Sequence, residues 1–399
     1  MPKKTFYLLV FIMFLSMTGY GIVLPILPFF ATDLGLSPFE MSSLITGWAF
    51  TQFLVLPFWG KIIDKYGRKP VLIFGLIGFG IAFILMVIAQ NYWQLLFIRI
   101  IGAVLSSGTQ PAVLALVADT TDARSRGKVM SHIMAANGIG FLLGPVLGSA
   151  IAPLGITMPF FIAGLLSLVT VPLAILFIKE PIDKGQLKKS PPLLSSISYS
   201  FKQGYIMLFM ITLGISIATS SILGVLGYYM IEQFHSGAIE TGWAFTIQSG
   251  AAVFVQLFFI SILYRYFSEE HITKYGILVT ILGFASIIIT AHIIFIFIGV
   301  FLIGAGQALI KPAVLASLAK KEDLGQGMVM SLHGTYDSLG RSIGPILAGL
   351  LFALHPISPF LMSFLLCGLL WFVISLEHRK SLRVSIKKNE VGPFENFVE

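Results

Sequence analysis

The sequence predicts an all-α membrane protein of twelve transmembrane helices, arranged as two six-helix bundles related by pseudo-two-fold symmetry. Three observations lead there: an apolar composition with sparse charge, twelve apolar stretches of spanning length, and a repeat that lays part of the second half on the first. Apolar side chains make up 56% of the 399 residues and charged ones only 11%, against about 25% charged in an ordinary soluble domain.

A bilayer core needs about twenty predominantly apolar residues per helix. The spans read as 6–30, 41–59, 71–89, 93–117, 129–153, 159–178, 204–231, 241–263, 272–291, 293–318, 328–354 and 359–376. The first is too long for a signal-peptide core and lacks a small-residue cleavage site, so it is expected to be a span. Basic residues stay on the cytoplasmic side of a membrane. Of 26 Lys and Arg, all but Arg99, Lys311 and Arg341 fall before span one, after span twelve, or in and around the loops after spans two, four, six, eight and ten, Lys274 at the very start of span nine. The opposite loops carry Asp33, Glu40, Glu232 and Glu240 and no basic residue. Both termini are therefore expected in the cytoplasm, in a cell membrane. The formal charge of +8 follows from this topology, which removes the reason to expect a nucleic-acid partner.

The longest connection, 179–203, is Lys-rich with a Ser/Pro segment. It divides the chain into an N-terminal bundle (1–178), a cytoplasmic linker (179–203), a C-terminal bundle (204–377) and a cytoplasmic tail (378–399). Residues 126–148 lie on 326–348: Gly127, Val129, Met130, Ser131, Gly140, Gly144 and Pro145 recur as Gly327, Val329, Met330, Ser331, Gly340, Gly344 and Pro345. PAVLAL from Pro111 recurs as PAVLAS from Pro312. Parallel repeats of this kind suit alternating access.

Between spans two and three, residues 60–70 pack five charges into GKIIDKYGRKP. They read as a short solvated loop at a membrane face. Inside the spans, charge is the sharpest signal, because an ion in hydrocarbon costs several kcal/mol unless it meets a partner or water. Arg99 lies in span four and Lys311 in span ten, while His333, Asp337 and Arg341 follow i, i+4, i+8 spacing on one face of span eleven. At about 1.5 Å per residue, Asp337 sits roughly 15 Å in from that helix's cytoplasmic start. One reading is a static ion network. The other makes Asp337 the protonation site, with His333 and Arg99 assisting proton coupling. Lys311, Arg341 and Arg99 against a single Asp337 leave a net positive cavity, which points away from plain organic cations. Tyr20, Gln52, Gln110 and Asn137 are candidate cavity residues in the first half, and Tyr228, Gln248, Gln307 and Tyr336 in the second. Gly140, Gly144, Pro145 and Gly148 put small residues on one face of span five, allowing close helix approach. Cys367 is a lone, apolar-flanked packing residue, and neither paired carboxylates in a span, nor a Cys/His nucleophile, metal spacing or phosphate loop is present. An enzyme is not expected.

The 60–70 stretch resembles the loop signature of the major facilitator superfamily, and Arg99 with Gly102 is similar to its fourth-span signature. The Gly140-xxx-Gly144-Pro145-xx-Gly148 run resembles the mark of the drug:proton antiporter branch, and GYGIVLPILP at 19–28 is similar to the first span of bacterial tetracycline and fluoroquinolone exporters. The resemblance implies the major facilitator fold and proton-coupled drug efflux by a monomer, driven by the proton gradient with no cofactor, its partners being protons, a small-molecule substrate and the lipid bilayer. It further implies a latch in which Gly60, Asp64, Gly67 and Arg68 act together, Asp64 capping span eleven near Gly327 and Arg68 pairing with Asp119. The span-five glycines are then expected to seal against span eight. Some relatives carry acids in span one, seven or ten, where this chain has Ser16, Ile222 and Ala308, so proton coupling does not transfer by position. A metabolite, sugar or lipid-head-group carrier of the same fold, and a non-transporting membrane sensor, are the alternatives.

Overall fold

The structure, a computed structural model, describes residues 3–121, 123–180, 205–289, 292–320 and 326–390. Among them every regular element is helical. Ten helices are long and apolar enough to cross a membrane. Pro38–Tyr66 and Gln326–Phe352, of 29 and 27 residues, complete the expected twelve as spans two and eleven.

Proline and glycine set where the helices break. Span one runs Lys3–Val23 and resumes as Leu27–Asp33. Pro25 donates no backbone bond and pushes the preceding residue from helical geometry. Span four is likewise Tyr92–Ser106 followed by Thr109–Thr120. At that break Gly108 lies against the Trp59 indole, with no room for a Cβ. Span eight is Ala238–Phe254, a π-helical turn Val255–Phe259, and Ile260–Tyr266. The remaining spans are Arg68–Val87, Ala123–Ile151, Met158–Phe177, Ile206–Phe234, Glu269–Ile289, Ile293–Ala319 and Ser358–Glu390.

The charged 60–70 stretch is not the loop expected. Span two stays helical to Tyr66 and span three begins at Arg68, so the reversal is made by Gly67 alone, at φ 101°. The start of span two is fixed by a capping box, in which Ser37 Oγ accepts the Glu40 N–H and the Glu40 carboxylate accepts the Ser37 N–H.

Within the first half, span one packs on five and six, three on four and six, and two on four. The second half repeats this, with seven on eleven and twelve, nine on ten and twelve, and eight on ten. Across the halves, two meets eleven and five meets eight. Exchanging the halves turns each of these contacts into the other, which is the pseudo-two-fold relation.

The ends of the bundle are tied by different chemistry. Where the basic loops gather, Arg68 Nε pairs with Asp119 at 2.7 Å, the Glu180 carboxylate accepts the amides of Arg68 (3.0 Å) and Lys69 (2.7 Å), and Lys320 pairs with Glu269 at 2.7 Å. Hydrogen bonds join the halves toward the acidic-loop end. Ser42 Oγ donates to Gly224 O (3.0 Å), Thr46 Oγ1 to Ser342 O (2.9 Å), and Tyr228 Oη to Leu36 O (2.6 Å). From this seam a chamber runs between the halves toward the basic-loop end.

Candidate functional site

Span eleven carries Asp337 and Arg341 one turn apart, and span ten brings Lys311 across from them. Arg341 Nε lies 3.2 Å from Asp337 Oδ2, and Lys311 Nζ lies 3.4 Å from Oδ1. Ser216 of span seven donates its hydroxyl to Oδ1 at 2.5 Å. The Asp337 side chain is 14% exposed, whereas Lys311 and Arg341 are 44% and 50% exposed. The carboxylate is thus enclosed by its donors while both cations look into open space. His333 and Asp337 line a small cavity of about 10 Å³ with Lys311, Thr212 and Ile215, a volume close to one water.

The open space is the chamber. Its larger lobe has a volume of about 490 Å³ and a second lobe about 310 Å³. Both are lined by Tyr20, Trp48, Gln52, Phe141, Ser338 and Arg341, so they form one space. The size is that of a drug-sized ligand site. Asn137, Gln248, Gln307 and Lys311 line the larger lobe and Gln110 the second. No Asp or Glu lines either lobe among the described residues.

Two candidates are not in the chamber. Tyr228 is spent on the seam, bonded to Leu36, and Tyr336 stacks on Phe209 with ring centroids 5.0 Å apart and planes at 8°. Arg99 also lies outside the lining, 1% exposed behind Trp48, whose ring centroid is 4.9 Å from the guanidinium. It contacts Leu44 O at 3.5 Å, its Nη1 has no hydrogen-bond partner, and no carboxylate pairs with it among the described residues. The structure therefore does not join Arg99 to Asp337, since the two sit in different halves. Trp48, Phe141, Ser216 and Gln256 are functional-site residues that sequence reasoning passed over.

The span-five glycines face span one rather than span eight. A Cβ at Gly144 would stand 2.5 Å from the Cα of Gly21, and Cβ atoms at Gly140 and Gly148 would strike the backbone of Phe14 and Ile22. Span eight is met by the adjoining face, where Pro145 O and Ser149 press on Gly242. The four-residue glycine spacing covers only one helix face, and span one occupies it. In the expected latch, Arg68 and Asp119 pair as anticipated. Gly60 is a mid-helix residue with open space around it. The side chain of Asp64, expected to cap span eleven near Gly327, lies outside the described residues. Glu180 instead caps the start of span three.

The family model described as Major Facilitator Superfamily matches residues 9–220 and 208–396. Quinolone resistance protein NorA of Staphylococcus aureus (strain MSSA476) is 28% identical over 395 residues, covering 96% of this chain and 99% of that one. Multidrug resistance protein 2 of Bacillus subtilis (strain 168) is 29% identical over 368 residues, covering 90% and 92%. Among solved structures, nucleoside transporter NupG superposes with a TM-score of 0.76 at 15% identity, covering 93% of this chain and 98% of that one. The human organic anion transporter MFSD10 (TETRAN) gives 0.66 at 20% identity, covering 94% and 100%. At these identities the solved structures establish the fold alone. With the family model matched over both halves, the chain belongs to the Major Facilitator Superfamily and is a membrane transporter of that family.

Proposed function

We propose that the chain is a proton-coupled exporter of drugs or other small amphipathic compounds, working by alternating access in a bacterial cell membrane with both termini in the cytoplasm. The observation that carries this reading is the drug-sized chamber between the halves, with one enclosed carboxylate, Asp337, shared by cations from spans ten and eleven. The relatives at 28% and 29% identity, named for quinolone and multidrug resistance, support the export direction and substrate type. The basic loops support the orientation, so that the chamber faces the cytoplasm in this state.

The coupling step lies at the Asp337 carboxylate. Ionised, it holds Lys311 and Arg341 by opposite charge; with a proton on one oxygen the ion-pair attraction is gone and the two cations keep only a neutral carboxyl to donate to, a weaker hold. Spans ten, eleven and seven meet at this point, so a proton gained or lost there changes how three helices are held. His333, on the same small water-sized cavity, provides the path to the basic-loop end. The energy comes from the proton gradient and no cofactor takes part.

The test is dye efflux from reconstituted vesicles under an imposed pH gradient. Wild-type flux should collapse when an uncoupler is added. Asp337→Asn should bind substrate yet move it only down its own gradient. Uphill, proton-driven efflux by Asp337→Asn overturns the assignment.

A further inference from the structure

We infer that Lys311 and Arg341 form a carboxylate-binding subsite, and that the substrates of this chamber are amphipathic organic acids. The inference deepens the transporter reading and depends on it only for what becomes of the bound acid.

Charge counting in the chamber is the first ground. Two cations reach the space and one carboxylate answers them, so a single positive charge remains uncompensated among the described residues. That charge lies between low-dielectric walls, where it acts on a ligand far more strongly than in water. No Asp or Glu lines either lobe to receive a substrate ammonium, and Asp337 is turned from the space with both its oxygens engaged.

Donor geometry is the second ground. Asp337 approaches Arg341 at Nε, the guanidinium is half exposed, and among the described residues no second carboxylate pairs with it. An arginine with two parallel N–H donors free is matched to a planar carboxylate. Lys311 adds a point charge a few ångströms away, since both cations touch the same carboxyl group. A ligand carboxylate on this pair approaches from the chamber side, opposite Asp337.

The third ground is what surrounds the pair. Arg341 borders both lobes, with Trp48, Phe141 and Phe79 supplying apolar walls away from it. Gln52, Gln248 and Gln307 line the larger lobe and Gln52 and Gln110 the second. They suit a ligand with neutral polar groups on an otherwise apolar body. A bare inorganic anion would leave those walls and amides unused.

The experiment uses three tritiated probes of matched shape: naphthylacetate, naphthylacetamide and naphthylmethyl-trimethylammonium. Equilibrium binding to the purified full chain in detergent is expected to favour naphthylacetate over the amide by about tenfold, with the cation weakest. Lys311→Gln and Arg341→Gln should each erase that preference while the amide still binds, and Lys311→Arg should keep it. Equal or tighter binding of the amide or the cation by the wild-type chain overturns the inference without reliance on any variant. So does a preference for naphthylacetate that survives both glutamine substitutions. If the preference is present but vesicles carry no probe, the subsite stands and the transport reading falls. If vesicles export a dye yet no preference exists, the subsite alone falls.

Discussion

Gly67 makes the whole reversal between spans two and three, at a φ of 101° that an L side chain adopts only with strain. A Cβ there would also stand 2.8 Å from the Glu180 carboxyl carbon. Gly67→Ala is expected to cost about 1–3 kcal/mol, and Glu180→Ala, which frees the Arg68 and Lys69 amides, about 1 kcal/mol. Because the added methyl evicts the same carboxylate, the double variant should be less destabilised than the sum. Thermal unfolding in detergent reads all three, and strict additivity would show that Glu180 does not cap the turn. At this scale the sequence was legible where charge sits in an apolar run: Asp337, Lys311 and Arg341 stand out because burying them is costly, and the structure does bring them together. Ser216 and Trp48 were not legible, since a serine or an indole in a transmembrane helix follows no pattern that separates site from packing. Tyr228 and Tyr336 misled for the same reason: a tyrosine serves a seam or a stacked core as readily as a cavity.

Helix to helix, the glycine face of span five decides how closely the first half can pack. Gly144 abuts Gly21, while Gly138, two turns earlier on the same helix, has open space around it. Gly144→Ala is therefore expected to destabilise by about 1–3 kcal/mol through overpacking. Gly138→Ala should be neutral or slightly stabilising, since alanine favours helix over glycine. Equal melting shifts for the two would refute the close approach of spans one and five. The repeat places the same glycines in span eleven, where Gly344 presses on Ile217 and Ser220 of span seven, the counterpart of span one. The spans were legible because lipid demands unbroken apolar length and the basic loops fix the alternation. Their ends were not, because a helix continues wherever its backbone bonds are satisfied. Span two passes through Lys61 and Lys65 to Tyr66, and span twelve runs on to Glu390. Nor did the glycine spacing say which neighbour fills the groove, since spans one and eight both border span five.

For the whole molecule, charge movement joins the two proposals. The halves are held by Ser42, Thr46 and Tyr228 at one end and enclose a positively charged chamber that opens toward the other. If that opening faces the cytoplasm, an organic acid leaves as an anion while a proton enters, and for one proton per cycle two elementary charges move in the same electrical sense. Each is worth roughly 2.3 kcal/mol per 100 mV. An inside-negative potential then drives export of an acid with about twice the force it applies to a neutral substrate exchanged for the same proton. In vesicles clamped by potassium and valinomycin, with the pH gradient held at zero, the steady-state gradient of naphthylacetate should respond to voltage with about twice the logarithmic slope of naphthylacetamide. Equal slopes would mean that the acid travels protonated and neutral, and a slope for the acid with none for the amide would mean that no proton is exchanged. Either result would break the link between the Asp337 carboxylate and the cationic pair beside it.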